Sequence, residues 1–173
     1  PTAAQPIDNE LKSFALDTVA KVEKCFETYR VADAVEAVLN LAKRSNKYID
    51  ETAPWALAKD EANKERLGTV LYNLLESIRY IAILLSPFMP ETSEKILSQI
   101  NCDSKDYDSL SNFGALKAGT KVNKAEALFA RIDAEKMLKE IAEKQEAAAK
   151  AEEKAKPKEI EGLAQIQIDD FAK

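Results

Sequence analysis

The chain has 173 residues, 46% of them hydrophobic and 32% charged, enough for one ordinary core with an appendage. Four glycines and six prolines leave little material for hairpins, and the lack of histidine removes most hydrolase and zinc-site functions. A net charge of −5, with much of the acidity beyond residue 132, excludes a broad basic nucleic-acid surface but leaves room for a local site.

In chain order, Ile7, Leu11, Phe14, Thr18, Val22 and Cys25 recur at helical spacing and predict a first helix over about 7–28. A second is predicted from Val31 to Thr52, with Val31, Val35, Val38, Ala42, Ser45 and Ile49 as its buried stripe. Its polar stripe is Lys43, Asn46, Lys47 and Asp50, and Pro54 ends it by driving Ala53 out of the helical region. A third helix over about 64–85 is apolar on nearly every side near its end, as the centre of a bundle would be. Pro87 and Pro90 bracket a break before a fourth helix to about Ile100, and 101–125 reads as loop. Leu128–Ile132 is a short apolar return expected to pack on the body. Residues 133–159 read as a charged helix or linker, and Ile160–Lys173 as the first strand of an uncompleted domain. The fold class is therefore all-α, an antiparallel helix bundle.

Cys25 and Cys102 form no Cys-x-x-Cys pair and read as reduced thiols, with a disulfide or redox site the lesser alternative. The longest apolar stretch, Tyr80 to Leu85, is too short to span a bilayer, and the N-terminus shows no secretory signal. A cytoplasmic protein without membrane association is expected. The chain begins Pro1-Thr2 without methionine, from which an excised part of a longer polypeptide is expected.

The most informative run is Asn46-Lys47-Tyr48-Ile49-Asp50-Glu51-Thr52-Ala53-Pro54-Trp55, which contains the single tryptophan. A tryptophan after Ala-Pro at a helix terminus can place its ring on the surface, where it offers a rigid face to an unpaired base. The alternative is an aromatic that caps the bundle by filling a gap between helices. Asn46 and Asp50 lie one turn apart on the approach to it: an amide offers donor and acceptor to a splayed-out base, and a carboxylate accepts from the amino group of cytosine.

Four stretches, in order and at matching spacing, resemble the C-terminal part of bacterial methionyl-tRNA synthetases. They are Asn46–Lys59, Leu84–Thr92, the Leu128-Phe129-Ala130-Arg131-Ile132 return, and Ile166–Lys173. The resemblance implies the anticodon-binding helix bundle of a class I synthetase over 1–132, a linker over 133–159, and the start of an OB-fold tRNA-binding domain over 160–173. It implies that Trp55 stacks on the first base of the CAU anticodon, and that Asn46, Asp50 and Pro54 shape and polarise the same pocket. The implied partners are the anticodon loop of tRNA(Met) and the catalytic domain of the parent enzyme.

The family's ATP-binding motifs His-Ile-Gly-His and Lys-Met-Ser-Lys-Ser are absent. No catalytic residue, metal or cofactor is therefore expected here. ATP with magnesium, with or without a structural zinc, is implied for the parent alone. A monomer is expected for this stretch, and a homodimer for the parent through its appended domain. The family's Asn-Leu-x-x-Arg motif is spelled by Asn40-Leu41-Ala42-Lys43-Arg44, but on the same helix as Asn46, and the spelling is read as coincidence. The competing readings are a helical scaffold or interaction module, and the anticodon domain of a related class I synthetase for valine, isoleucine, leucine or cysteine.

Overall fold

The computed structural model describes residues 4–125, 127–129 and 133–155, and among these it contains helices and turns but no strand. The chain divides into two units, 1–128 and 129–173.

The first unit is a helix bundle. Helix α1 (Pro6–Glu27) opens with Pro6 at its first position, where a missing N–H costs nothing, and the Asp8 carboxylate accepts from the Gln5 N–H at 2.7 Å. It closes in a Schellman turn: Arg30 N–H donates to the Cys25 carbonyl at 2.8 Å and Tyr29 N–H to Phe26 at 3.1 Å, with Tyr29 left-handed at φ 57°. Helix α2 (Val31–Thr52) returns after that short turn and therefore runs antiparallel to α1. A four-residue helix α3 (Pro54–Leu57) and a 3₁₀ turn (Glu61–Asn63) lead into α4 (Lys64–Leu85). Helix α5 (Pro90–Gln99) packs on α4 and ends in a second Schellman turn, with Asn101 left-handed at φ 52°.

Helix α4 is the centre, touching α1, α2, α3 and α5. With the turn before it, Glu61–Leu85 is long and apolar enough to cross a membrane. However, 56% of the qualifying stretch is buried inside the bundle, as for the core helix of a soluble fold.

Two helix faces differ from the sequence expectation. On α2 the buried row is Ala34, Ala37, Val38, Leu41, Ser45 and Tyr48, while Val31 is half exposed and Val35, Ala42 and Ile49 are only partly buried. On α1, Ala15 is buried and Phe14 partly exposed. The packed rows carry the small Ala15, Ala34 and Ala37, side chains whose size suits close helix packing, rather than the β-branched Val31 and Val35.

Residues 101–125 are mostly irregular, yet anchored. Leu110, Leu116 and Cys102 are buried, and a 3₁₀ turn spans Tyr107–Ser111. In the second unit, α6 (Ala134–Ala155) is capped by Asp133, whose Oδ1 accepts from the Glu135 N–H at 3.1 Å. The side chains of 134–148 are exposed, so of the two forms expected for this stretch, helix or tether, the helix is found. Phe129, expected in the core, is 69% exposed. The rest of the apolar return (130–132) and the expected strand over 160–173 lie outside the described residues.

Candidate functional site

Trp55 is aimed outward by a sharp change of backbone direction. Ala53 ends α2 with its N–H on the Ile49 carbonyl (2.9 Å), and takes a left-handed conformation at φ 42°, ψ 61°. Pro54 then begins α3, and the Ala53 carbonyl accepts from the N–H groups of Ala56 (2.8 Å) and Leu57 (3.2 Å). Leu57 packs against the hydrophobic core. Two residues of helix rotate a side chain by about 200°, so fixing Leu57 inward turns Trp55 outward. Trp55 as a residue is 58% exposed. The tryptophan thus sits within a short helix of its own, not at the end of α2 as the sequence suggested.

Asn46 and Asp50 are exposed on the last turns of α2, and Pro54 is partly buried. All four predicted site residues lie on one continuous stretch, the end of α2 and the first turn of α3. The α2 terminus brings the negative end of its dipole to this region, with no basic residue in its last turn. The surface is suited to hydrogen-bond donors on a ligand rather than to phosphate. Asn46 also borders a groove of about 990 Å³ lined by α2, α4 and residues of the 116–122 stretch, with Ile49, Leu71, Leu75 and Ile78 among its apolar residues.

The Asn40–Arg44 motif is occupied otherwise. Leu41 is fully buried, and the Arg44 guanidinium bonds Glu51 at 3.0 Å and Glu10 at 3.4 Å, joining α2 to α1. Lys47 pairs with Glu51 at 3.6 Å.

A buried polar cluster that the sequence reading missed ties α2, which carries Asn46 and Asp50, to α1 and α4. Asp8 Oδ1 accepts from the Tyr48 hydroxyl at 2.5 Å, and the Arg66 guanidinium spans both Asp8 oxygens at 2.5 and 2.9 Å. The Tyr48 oxygen in turn accepts from the Asn73 amide at 3.3 Å. Burial works to raise the Asp8 pKa, but hydrogen bonds from Arg66, Tyr48 and the Gln5 N–H outweigh it and hold the carboxyl below its ordinary range. Burial and the Asp8 charge push the Tyr48 phenol up to about 12. Tyr48 is fully buried. What its spacing could not reveal is that its hydroxyl has a partner 40 residues away.

A second buried cluster clasps the 101–125 segment. Glu76 and Arg79, both fully buried on α4, pair at 3.0 Å. Glu76 accepts from the N–H groups of Gly114 (3.0 Å) and Leu116 (2.6 Å), and Arg79 donates to the Ser109 hydroxyl (2.8 Å). Tyr72 and Tyr80 donate to the Leu116 and Leu110 carbonyls at 2.8 and 2.7 Å. Both clusters are structural, since each polar atom in them is turned to another part of the chain. Among the described residues no three His, Cys, Asp or Glu side chains converge to hold a metal ion.

Comparison with known proteins gives one answer. Residues 2–150 match the family model described as the anticodon binding domain of methionyl tRNA ligase. The methionine–tRNA ligase of Clostridium acetobutylicum is 46% identical over 173 residues, which is 100% of this chain and 26% of that protein. That of Clostridium tetani is 52% identical over 141 residues, 82% of this chain and 22% of the relative. Among solved structures, apo methionyl-tRNA synthetase from Mycobacterium tuberculosis matches with a TM-score of 0.70 at 28% identity, over 77% of this chain and 27% of that one. The chain thus spans about a quarter of the length of the relatives it matches.

Proposed function

Since the chain belongs to the family of methionyl-tRNA ligase anticodon-binding domains, we propose that it binds the CAU anticodon of tRNA(Met) by stacking the first base, cytosine, on Trp55. The observation that carries this reading is the exposure of the single tryptophan on a short helix anchored through Leu57. An aromatic face held this way loses little conformational freedom when a base covers it. Asn46 and Asp50 supply polar contacts beside the stack, and Pro54 sets its backbone. Cytosine presents an amino donor, which suits both the Asp50 carboxylate and the negative end of α2. Phosphates are disfavoured there, which orients the loop with its base inward.

In this reading ATP-dependent activation of methionine resides in the other three quarters of the relatives' length, and the chain acts with that part in the cytoplasm. Residues 133–159 serve as a linker, and 160–173 begin the appended tRNA-binding domain.

The test uses the one tryptophan as its own reporter. Anticodon stem-loops reading CAU are titrated at low salt against loops with the first base changed, following Trp55 fluorescence. Selective quenching by CAU is expected, and Trp55→Ala should weaken binding by ~1–3 kcal/mol, the worth of one base–aromatic stack. Equal affinity of wild type and Trp55→Ala for CAU would remove the role assigned to the ring.

A further inference from the structure

The segment that carries Trp55, residues 53–63, leaves α2 and enters α4, and the Asp8 cluster sits at both of its roots. Tyr48 is on the last turns of α2, four residues before Thr52 ends it, and Thr52 Oγ1 is bonded to the Tyr48 carbonyl at 2.6 Å. Arg66 is the third residue of α4. Asp8, on the first turn of α1, bonds both, so one carboxylate from a third helix sets the separation of the two ends of the segment. Arg66 lines one cleft together with Gln5, Ile7, Thr52 and Leu57, and Leu57 is the residue whose anchoring turns Trp55 outward.

We propose that Asp8 is a positioning residue for Trp55: by clamping Tyr48 and Arg66 it fixes the frame on which α3 rests and so the direction of the indole ring. The inference deepens the anticodon reading and takes the role of Trp55 from it. Asp8 touches no ligand. It acts by preventing α2 and α4 from shifting relative to each other at the one place where such a shift would tilt α3.

The charge is essential to the clamp. A carboxylate accepts from the phenol and from both arms of the guanidinium at once, whereas an amide in its place has one acceptor oxygen and no charge to hold Arg66. Tyr48→Phe is milder, since it leaves the Asp8–Arg66 pair in place.

The experiment compares wild type, Asp8→Asn, Tyr48→Phe and Val22→Ala in the 173-residue chain, well below each variant's melting temperature. Val22 is a buried α1 residue outside the cluster, so Val22→Ala controls for lost stability alone. The readouts are acrylamide quenching and the indole N–H resonance of Trp55, followed by binding of the CAU stem-loop. Asp8→Asn should shift the indole resonance, change its quenching and weaken the stem-loop about tenfold, within what loss of one stack allows. Tyr48→Phe should give a smaller effect in the same direction, and Val22→Ala none.

The double variant Asp8→Asn/Trp55→Ala should bind no more weakly than Trp55→Ala alone, because both act through one ring. An indole signal in Asp8→Asn that matches wild type overturns the inference whatever the RNA does. If Trp55→Ala leaves binding intact while Asp8→Asn moves the indole, the anticodon reading fails and the positioning role stands.

Discussion

Tyr48 and Asp8 lie 40 residues apart in the chain, and the tyrosine hydroxyl donates to the aspartate at 2.5 Å in the interior of the bundle. The bond joins the end of α2 to the start of α1, and Arg66 extends it to the start of α4. Three helix termini are thereby held together, two of them flanking the 53–63 segment that carries the exposed tryptophan.

Acid should reveal this cluster. The Asp8 pKa is lowered below its ordinary 3.8 in the folded state, so its contribution is complete above the unfolded value and is lost as pH falls through the lower folded value. Asp8→Asn should cost about 3 kcal/mol at pH 7, because it removes the carboxylate that the nearly buried Arg66 guanidinium bonds through both arms. The gap between wild type and variant in urea unfolding should stay level from pH 7 to about 4 and narrow below that. A gap as wide at pH 2 as at pH 7 contradicts the assignment.

Alkali should act through two tyrosines. Tyr48 and Tyr80 are both pushed up to about 12, chiefly by burial, from an ordinary 10.0. Their folded pKa values lie above the unfolded ones, so the stability they contribute is complete below pH 10 and lost as pH rises toward 12. Each is worth on the order of 2–3 kcal/mol across that window. Absorbance at 295 nm should show two phenols that ionise only near pH 12, together with loss of helical circular dichroism.

The Glu76–Arg79 pair should govern Cys102. Arg79→Ala leaves the buried Glu76 charge without its partner and is expected to cost about 3–5 kcal/mol. It also removes a donor to Ser109, so the 101–125 segment should open locally before the bundle unfolds. The Cys102 thiol, pushed up by burial, should then react with a thiol reagent faster than in wild type, while buried Cys25 keeps its rate. Unchanged Cys102 kinetics in a folded Arg79→Ala variant would show that the segment is held by its apolar contacts alone.

Ala53 offers a gain in stability. A left-handed residue with a side chain carries a steric cost of about 1 kcal/mol that glycine avoids, partly offset by the extra freedom glycine has when unfolded. Ala53→Gly should raise stability by about 0.5 kcal/mol in urea unfolding. Tyr29, left-handed and 91% exposed at the end of α1, should behave alike on substitution by glycine. A loss of stability in Ala53→Gly would mean that the alanine methyl makes contacts worth more than its strain.

Some of the molecule was legible because its causes are local. Apolar periodicity and the prolines at 54 and 90 placed α2 from Val31 to Thr52 and α4 from Lys64 to Leu85, where the structure has them. The same local chemistry ends α2 before Pro54, while the packing of Leu57 on the core is what turns Trp55 to the surface.

Which row of α2 faces inward was not legible. The helix carries two apolar rows, and the buried one, Ala34–Tyr48, is set by packing against α1 and α4 rather than by apolar content. Nor could the sequence show that the irregular 101–125 stretch is held by Glu76 and Arg79, because a charged residue on an apolar helix reads as solvated until its partners are known.

From sequence alone came α1, α2, α4 and α5, set by residues within a turn or two of each other, the family resemblance, and a tryptophan free either to face out or to cap the bundle. Tertiary structure alone decided the buried face of α2, the clasp on the 101–125 segment and the Asp8–Tyr48–Arg66 frame. Their partners stand 30 to 58 residues apart, and only the closed bundle brings them within hydrogen-bonding distance.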